Sequence, residues 1–369
     1  EHEYKVMGLS GFSNSDRYIS SIENIFFNIL DFKKGRFESK KPLKESYFDL
    51  KNRLEGHRFD NIAAALQRWT SSLIIKWAEF WLKKTGKKGI AFSGGLSMNI
   101  KANGDLLENK NVNWLSVPPS GGDESLSAGA CFFECIKSRE KVSSMVTPYL
   151  GQTSSLELES WYKRLNGTGY KKNDFQIILN FNNKKAAKLL ANDEILSRCI
   201  GRAEFGARAL GNRSILANPK NFKNIEKINN TIKNRDFWMP FTPSILSEHS
   251  NKLIKNPKKN DATYMTIGYQ STPFAKENIS ACLHMADYSA RPQFVKKDLN
   301  FDYWSLINEF YKITKIPSLL NTSFNLHGDP MNYTIADAVR TLALSSLEFL
   351  LLPDEKLLLK KSAIKKIKK

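Results

Sequence analysis

Helical periodicity is strongest in residues Asn61–Thr85. Apolar side chains recur there every three or four residues, which places them on one face of an α-helix. Gly86 follows directly, and glycine is a preferred residue just after a helix. The segment therefore predicts a long amphipathic helix that packs one face against a core. This apolar face consists of Ile62, Leu66, Trp69, Leu73, Trp77, Phe80 and Trp81.

Strand-like runs alternate with glycine turns and helical patterns in the residues that follow. This order is typical of an α/β fold. Both glycine turns come directly after a strand, and open α/β sheets bind ligands at that end of their strands. The strands are Gly89–Phe92 and Asn113–Val117, the turns are SGGLSMN at 93–99 and SGGDES at 120–125, and the helices are Asn99–Glu108 and Leu126–Lys137.

A stretch without periodicity, Lys141–Ser155, precedes a second α/β unit, and we place a domain boundary there. A polar loop is expected around Lys252–Asp261. The fold class predicted for the whole chain is α/β with mixed α+β character. In the second unit the predicted strands are Gln176–Leu179, Ile195–Ile200, Tyr264–Tyr269 and Ser318–Asn321, and the predicted helices are Lys184–Ala191, Ile225–Lys233, Tyr303–Thr314 and Ile335–Ser345.

The composition is that of a globular protein, with 41% hydrophobic and 25% charged residues. A chain of 369 residues is long enough for two domains that each bury a core. No apolar run reaches the roughly 18 residues needed to span a bilayer, so no membrane partner is expected. Because no secretory leader is found, we expect a cytoplasmic location. The chain begins at Glu1 rather than methionine, which suggests a fragment or a processed chain.

The net charge of +19 has two interpretations. A strongly basic chain can bind nucleic acid. The lysines are spread along the whole chain, however, so a general drift in composition is favoured and a nucleic-acid partner is not expected. The basic C-terminal run LLLKKSAIKKIKK is interpreted as a solvated end. The four cysteines include no CxxC pair, and we expect Cys131 and Cys135 to be buried thiols rather than metal ligands.

The most informative motif is Gly201–Ser214, GRAEFGARALGNRS. It combines three arginines, one glutamate and three glycines directly after a predicted strand. A guanidinium can hold a phosphate or carboxylate through two hydrogen bonds, and glycine lets backbone come close to such a ligand. The motif favours a site for a polyanion such as ATP or an acyl phosphate. A solvated basic loop is the alternative at this point.

Four further motifs are candidates for binding. The glycine turn at 93–99 can present backbone N–H groups to phosphate, or it is a plain tight turn. Asp123 is either a metal ligand or a helix N-cap. Lys233 and Arg235 form a pair of cations one residue apart. The run Asn321–Asn325, NTSFN, follows a strand, and its hydroxyls and amides can bind phosphate or belong to a solvated turn.

In this order the motifs resemble those of the O-carbamoyltransferase family of nodulation and antibiotic biosynthesis. The resemblance covers nearly the whole chain, and the arginine motif together with NTSFN is highly specific. The matching segments are Glu3–Leu9 (EYKVMGL), Gly94-Gly95 with Asn99, Pro118 with Gly122-Asp123, Gly201–Ser214, Lys233–Asp236, Pro240–Pro243 (PFTP), Arg291 with Gln293, and Asn321–Asn325.

The resemblance implies two domains with separate reactions. Residues 1–150 would be part of an actin-like or sugar-kinase-like domain that transfers the carbamoyl group. Residues 156–369 would be a YrdC-like domain that makes carbamoyl-adenylate from ATP and carbamoyl phosphate. The acceptor would be a hydroxyl of a sugar or another small molecule, and ATP, Mg²⁺ and Fe²⁺ are the implied cofactors. A homodimer is one assembly to consider.

The family pattern also assigns roles to individual residues. The six predicted catalytic residues match a ligand tetrad of YrdC-like domains or positions that hold carbamoyl phosphate: Arg208, Lys233, Arg235, Arg291, Ser323 and Asn325. The predicted cofactor-binding residues are Gly94, Gly95 and Asn99, which match the turn that holds the adenylate, with Arg202 and Arg213. Asp123 matches an iron ligand. A ring of five cations would offset the repulsion between two polyanionic substrates, namely Arg208, Arg213, Lys233, Arg235 and Arg291.

Three departures from the family pattern bear on this function. The histidines that would complete the metal site are absent, so Asp123 alone cannot form it. Ala207 replaces a proline but keeps the neighbouring Arg208, so a small effect is expected. Met239 replaces an arginine expected near the phosphates, which should weaken substrate binding. Transfer of a threonylcarbamoyl group to tRNA and a non-catalytic nucleotide-binding protein are the alternative functions.

Overall fold

The computed structural model describes residues 2–143, 145, 147–153, 160–233 and 236–367. None of the helices in these ranges is long and apolar enough to cross a membrane. The helices are α1 Glu3–Leu9, α2 Asp16–Ile29, α3 Ser46–Leu54, α4 Phe59–Thr85, α5 Ile100–Glu108, α6 Leu126–Lys137, α7 Asn183–Ala191, α8 Phe222–Ile228, α9 Ser250–Leu253, α10 Pro273–Asn278, α11 Phe301–Thr314, α12 Ile335–Leu344 and α13 Ile364–Ile367. The strands are β1 Asp31–Lys33, β2 Arg36–Glu38, β3 Gly89–Ala91, β4 Trp114–Ser116, β5 Phe175–Ile178, β6 Leu196–Cys199, β7 Arg213–Ala217, β8 Thr242–Leu246, β9 Tyr269–Gln270, β10 Ser289–Ala290, β11 Gln293–Val295, β12 Ser318–Ser323, β13 Phe349–Leu352 and β14 Lys356–Lys360.

The long helix predicted from periodicity is confirmed as α4. It ends at Thr85, where Gly86 takes a left-handed backbone conformation with φ of 69° and so stops the helix. α5 is confirmed as well, because the Asn99 side chain accepts a hydrogen bond from the Ala102 N–H at 3.0 Å and caps its first turn. α6, α7, α11 and α12 also lie where the sequence predicts them.

Two local predictions are wrong. Of the predicted strand Tyr264–Tyr269 only its last residue joins β9, because Met265 has a φ of 59° that breaks an extended run. Cys131 is exposed and Cys135 is only half-buried, since none of the described residues of α6 is buried. The predicted helix Ile225–Lys233 is confirmed, as α8 up to Ile228 and then as a single π-helical turn, Asn229–Lys233.

An eight-stranded mixed sheet forms the centre of the described structure. Its strand order is β11-β8-β12-β7-β6-β13-β14-β5. The β11–β8 and β13–β6 pairs are parallel, and the other neighbours are antiparallel. The α/β class is therefore supported in its mixed form. The finer assignment to actin-like and YrdC-like domains stays a prediction.

The register of the sheet brings distant motifs to one end. β12 runs antiparallel to β7 and β8, with Ser323 opposite Ser214 and Asn321 opposite Thr242. The end of β12 therefore lies beside the starts of β7 and β8. β11 is parallel to β8, so its start lies at the same end. The arginine motif, NTSFN and the segment before β11 are thus neighbours in space.

One hydrophobic core spans both parts of the chain. Buried Leu106 and Leu115, from the part before residue 150, belong to the same cluster as Leu246 and Phe294 of the large sheet. The side chain of Asn260 also exchanges two hydrogen bonds of 2.9 Å with the backbone of Leu115. The predicted polar loop thus satisfies the backbone of β4 through the Asn260 side chain. The division into residues 1–150 and 156–369 stays a prediction.

A buried arginine holds the large sheet to α11. The guanidinium of Arg198 is 1% exposed, forms an ion pair with Asp302 and donates to the side-chain oxygen of Asn212 at 2.9 Å. Burial alone would raise the pKa of Asp302, but the charge and hydrogen bond of Arg198 lower it below its usual range.

Acidification should therefore weaken the fold through this pair. A carboxyl group whose pKa is lowered by folding stabilises the native state above its unfolded pKa of about 3.9, and this contribution is lost as the pH falls through the folded pKa. Urea unfolding at pH 7 and near pH 3 should show a smaller loss of stability for Asp302→Asn than for the wild type. An equal loss in both proteins would contradict the assignment.

Candidate active site

A cavity of about 500 Å³ opens at the end of the sheet where the motifs meet. One side of its wall comes from α1 and the start of α5, and the other side comes from the segments that flank β8, β10 and β12. Five cations in the described wall face one carboxylate, which favours an anionic ligand. The cations are Lys5, Lys101, Arg208, Lys233 and Arg291, and the carboxylate is that of Asp236.

Lys233 is firmly held in the cavity wall. It is 2% exposed, and its ammonium group donates to the Ser323 hydroxyl at 3.1 Å. It also donates to the Asn325 backbone oxygen at 3.1 Å and side-chain oxygen at 2.5 Å. The Ser323 hydroxyl in turn donates to the Asn325 side chain at 2.7 Å. The structure thus joins three of the predicted catalytic residues into one hydrogen-bonded cluster.

Arg208 lies in the cavity wall on a turn that Glu204 organises. The buried carboxylate of Glu204 accepts the backbone N–H groups of Leu210, Asn212 and Arg213 at 2.8, 2.7 and 3.1 Å through one oxygen. Gly206 has a φ of 102°, and a Cβ there would lie 2.9 Å from the Pro119 backbone oxygen. The turn therefore needs glycine to pack against the first part of the chain.

Arg291 reaches the cavity from the segment between β10 and β11. Its guanidinium donates to the Thr242 hydroxyl at 3.0 Å, at the first residue of β8. Beneath it, the Ser244 hydroxyl donates to the Gln293 side chain at 2.8 Å, and the Asn321 amide donates to Ser244 at 3.0 Å. This buried polar network fixes three neighbouring strands below the cavity.

The other two arginines of the motif point elsewhere. Arg213 is fully buried, and its guanidinium donates to the backbone oxygens of Tyr333, Ile200 and Gly201 at 2.9 to 3.2 Å. Arg202 is exposed and donates to the backbone oxygens at positions 150 and 151 at 2.9 and 2.8 Å. The structure gives both a role in holding loops together, away from the cavity wall. Arg235 lies outside the described residues.

The glycine turn of the first part lies next to the cavity but not in its wall. Gly94 and Gly95 are exposed, and α5, which follows them, contributes Ile100 and Lys101 to the wall. The Asn99 side chain exchanges two hydrogen bonds of 3.1 and 3.0 Å with Gln67 on α4. This turn is therefore braced from α4, and its assignment to the adenylate stays a prediction.

Asp123 does not belong to a metal centre in the described part of the chain. Its side chain is exposed at the start of a short 3₁₀ turn before α6. Among the residues that the structure describes, no three histidine, cysteine, aspartate or glutamate side chains come together as metal ligands do. The described residues therefore do not fit an iron ion by themselves.

The sequence reasoning missed several residues of the wall. Lys5 pairs with Asp236 at 2.9 Å, and Lys101 pairs with Asp287 at 2.5 Å. His284 also lines the cavity, and its Nε2 donates to the Gly8 backbone oxygen at 2.8 Å. Lys5 and Gly8 lie within the EYKVMGL motif, so that motif could have identified them as residues of the cavity wall. Lys101 carried no comparable signal.

Met239, where the resemblance implies an arginine, also lines the cavity. Its sulfur would lie 2.9 Å from a Cβ placed on Gly8, so α1 and the segment before β8 are in close contact there. Met239 thus adds to the apolar part of the wall, which also includes Met7, Pro240 and Phe241.

Two family models match separate segments of the chain. The model described as the carbamoyltransferase N-terminus matches residues 2–132, and the model described as the carbamoyltransferase C-terminus matches residues 187–361. The cavity is lined from both segments, since Lys101 belongs to the first and Arg208 to the second.

Similar proteins support the same family. Nodulation protein NolO of Bradyrhizobium diazoefficiens is 30% identical over 367 residues, which cover 94% of this chain and 64% of NolO. Nodulation protein NolNO of Sinorhizobium fredii is 30% identical over 363 residues, which cover 94% of this chain and 51% of NolNO. An uncharacterized protein of Methanocaldococcus jannaschii is 33% identical over 284 residues, 76% of this chain and 46% of that protein.

The chain spans roughly half to two thirds of the length of these relatives. Both family models match in the expected order, and six of the eight motifs that carry the resemblance contribute residues to one cationic cavity. The chain belongs to the carbamoyltransferase family.

Proposed function

We propose that the cavity makes carbamoyl-adenylate from ATP and carbamoyl phosphate, and that the carbamoyl group is then transferred to a hydroxyl of a sugar or another small molecule. The observation that supports this most is the cluster of Lys233, Ser323 and Asn325 within a wall that also carries Arg208 and Arg291. Both substrates are polyanions, and such a wall offsets the repulsion between them.

The proposed chemistry balances in three steps. Water releases phosphate from carbamoyl phosphate and leaves carbamate. A carbamate oxygen then attacks the α-phosphorus of ATP, and pyrophosphate leaves. Finally the acceptor hydroxyl attacks the carbamoyl carbon of the adenylate, AMP leaves, and the hydroxyl proton passes to solvent. Mg²⁺ bound to ATP would supply additional charge neutralisation at the phosphates.

The residues of this chain would bind and orient the anions in the second step. The charge of Lys233 is fixed by three hydrogen bonds, so it needs no reorganisation when negative charge develops on the leaving pyrophosphate. Arg208 is held on a turn that Glu204 organises, and Arg291 is held by Thr242. Fixed donors of this kind stabilise a transition state more than mobile ones.

The transfer step is proposed for the first part of the chain, near Gly94, Gly95 and Asn99. The structure brings α5, directly after this turn, into the cavity wall. An adenylate made in the cavity would therefore have a short path to the turn, which limits its exposure to water. An iron-dependent version of this step needs ligands beyond the described residues.

Pyrophosphate release tests the first half of the proposal. The purified chain should release pyrophosphate when ATP, Mg²⁺ and carbamoyl phosphate are all present. A coupled pyrophosphate assay with each substrate omitted in turn is the control. Folded protein that binds ATP by calorimetry but releases no pyrophosphate would reject the proposal and favour a non-catalytic nucleotide-binding protein.

A further inference from the structure

Asp287 connects three segments of the cavity wall without lining the cavity itself. One of its carboxylate oxygens accepts the Ser289 backbone N–H at 2.9 Å and the Ser289 hydroxyl at 2.6 Å. The other oxygen pairs with the Lys101 ammonium at 2.5 Å. Ser289 and Lys101 both line the cavity. A single carboxylate therefore ties the segment before Arg291 to the start of α5.

His284 extends this connection to α1. Its Nδ1 lies 3.2 Å from the Asp287 carboxylate, and its Nε2 donates to the Gly8 backbone oxygen at 2.8 Å. His284 is buried, and a Cβ on Gly11 would lie 2.5 Å from its ring. The chain at Gly8 and Gly11 therefore packs directly on this histidine.

The turn that carries Asp287 is tightly closed. His284 and Ser289 are joined by a backbone hydrogen bond of 2.9 Å, and Tyr288 takes a left-handed conformation with φ of 55°. Such a conformation is unfavourable for a tyrosine, so the surrounding hydrogen bonds must hold it. Burial alone would raise the pKa of Asp287, but His284 and Lys101 hold it well below its usual range.

We propose that Asp287 is a positioning residue that sets the distance between the Lys101 side and the Arg291 side of the anion cavity. Arg291 follows Ser289 by two positions, so a shift of Ser289 moves the arginine as well. This proposal rests on the proposed function only for the identity of the substrates. The binding of an anion in the cavity is independent of that function.

Because Asp287 is negatively charged, the direction in which anion affinity changes on its removal tests this proposal. A carboxylate next to the cavity repels an anionic ligand, so Coulomb's law alone predicts tighter anion binding when the charge is removed. A positioning role predicts the opposite, because Lys101, Ser289 and Arg291 lose their fixed separation. The direction of the change therefore distinguishes the two effects.

Calorimetry with inorganic pyrophosphate, without any turnover, is the test. Asp287→Asn should weaken pyrophosphate binding by about tenfold. Lys101→Met should also weaken pyrophosphate binding. The two substitutions remove the same ion pair, so the double variant should bind pyrophosphate no more weakly than the single variant with the lower affinity. Asp31→Asn is the matched control, since Asp31 is 9% exposed and pairs with Lys76 at 2.8 Å away from the cavity. It should bind like the wild type.

If the wild type releases pyrophosphate, steady-state kinetics are a second measurement. Asp287→Asn should raise the KM for carbamoyl phosphate, and Asp287→Glu should restore part of the loss. Should Asp287→Asn fail to fold, Ser289→Ala tests the same contact. Equal or tighter pyrophosphate binding by a folded Asp287→Asn protein overturns the proposal, as does a wild type that binds no pyrophosphate. A wild type that binds pyrophosphate but releases none rejects only the proposed function.

Discussion

Replacing Lys233 by methionine should lower pyrophosphate release by at least about a hundredfold. Methionine keeps the apolar stem of the side chain but removes its charge and the hydrogen bonds to Ser323 and Asn325. The negative charge that develops on the leaving pyrophosphate then loses a fixed cation, and the two acceptors lose their anchor. The measurement is the initial rate with ATP, Mg²⁺ and carbamoyl phosphate at saturation.

Lys360→Met is the matched control for this variant. Lys360 is also buried, and its ammonium donates to the backbone oxygens of Ser345 and Ala343 at 2.6 and 3.4 Å, outside the cavity. Lys360→Met shows how far the loss of any buried lysine lowers activity, apart from the loss of a substrate contact. The control should keep nearly wild-type activity, and similar rates for the two variants would contradict a role for Lys233 in the reaction.

Replacing Glu204 by alanine should destabilise the fold by about 3 kcal/mol. The Glu204 carboxylate is 7% exposed and accepts three backbone N–H groups, which alanine leaves buried without an acceptor. Because these groups belong to the turn that carries Arg208, pyrophosphate release should fall as well. Urea unfolding gives the free energy, and the coupled assay gives the rate.

Two companion variants sharpen this result. Glu226→Ala removes an exposed glutamate from α8 and should change the free energy of unfolding by less than about 0.5 kcal/mol. Glu204→Gln keeps one acceptor oxygen and should lie between alanine and the wild type. If Glu204→Ala unfolds like Glu226→Ala, the three hydrogen bonds do not stabilise the turn.

Local patterns predicted α4 and α5 well because the causes of these two helices are local. α4 follows from its apolar spacing and from Gly86, and α5 follows from the Asn99 cap. The large sheet could not be predicted in the same way. Buried strands such as β7 and β13 are short apolar runs, and their partners lie far away in the sequence. Pairing of this kind depends on the packing of the whole core.

In the candidate site, too, sequence motifs predicted some features, and others depend on contacts between distant segments. Motifs identified Arg208, Lys233, Arg291, Ser323 and Asn325, and the structure brings all five to one end of the sheet, with Ser323 held by Lys233. The sequence could not show which arginine of the motif faces the cavity. In the structure Arg213 begins β7, and its guanidinium donates to a backbone oxygen instead. Nor could it show the pair of Lys101 and Asp287, which are 186 positions apart and carry no shared pattern.

The shared cavity wall has a consequence for the evolution of the chain. Gly8 and Lys101 lie in the segment matched by the N-terminal family model, whereas Asp236, Met239 and His284 lie in the segment matched by the C-terminal one. The ion pairs Lys5–Asp236 and Lys101–Asp287 and the hydrogen bond from His284 to the Gly8 backbone oxygen join the two segments. A substitution on one side of such a contact changes the fit of the other segment, so we expect the two segments to diversify together.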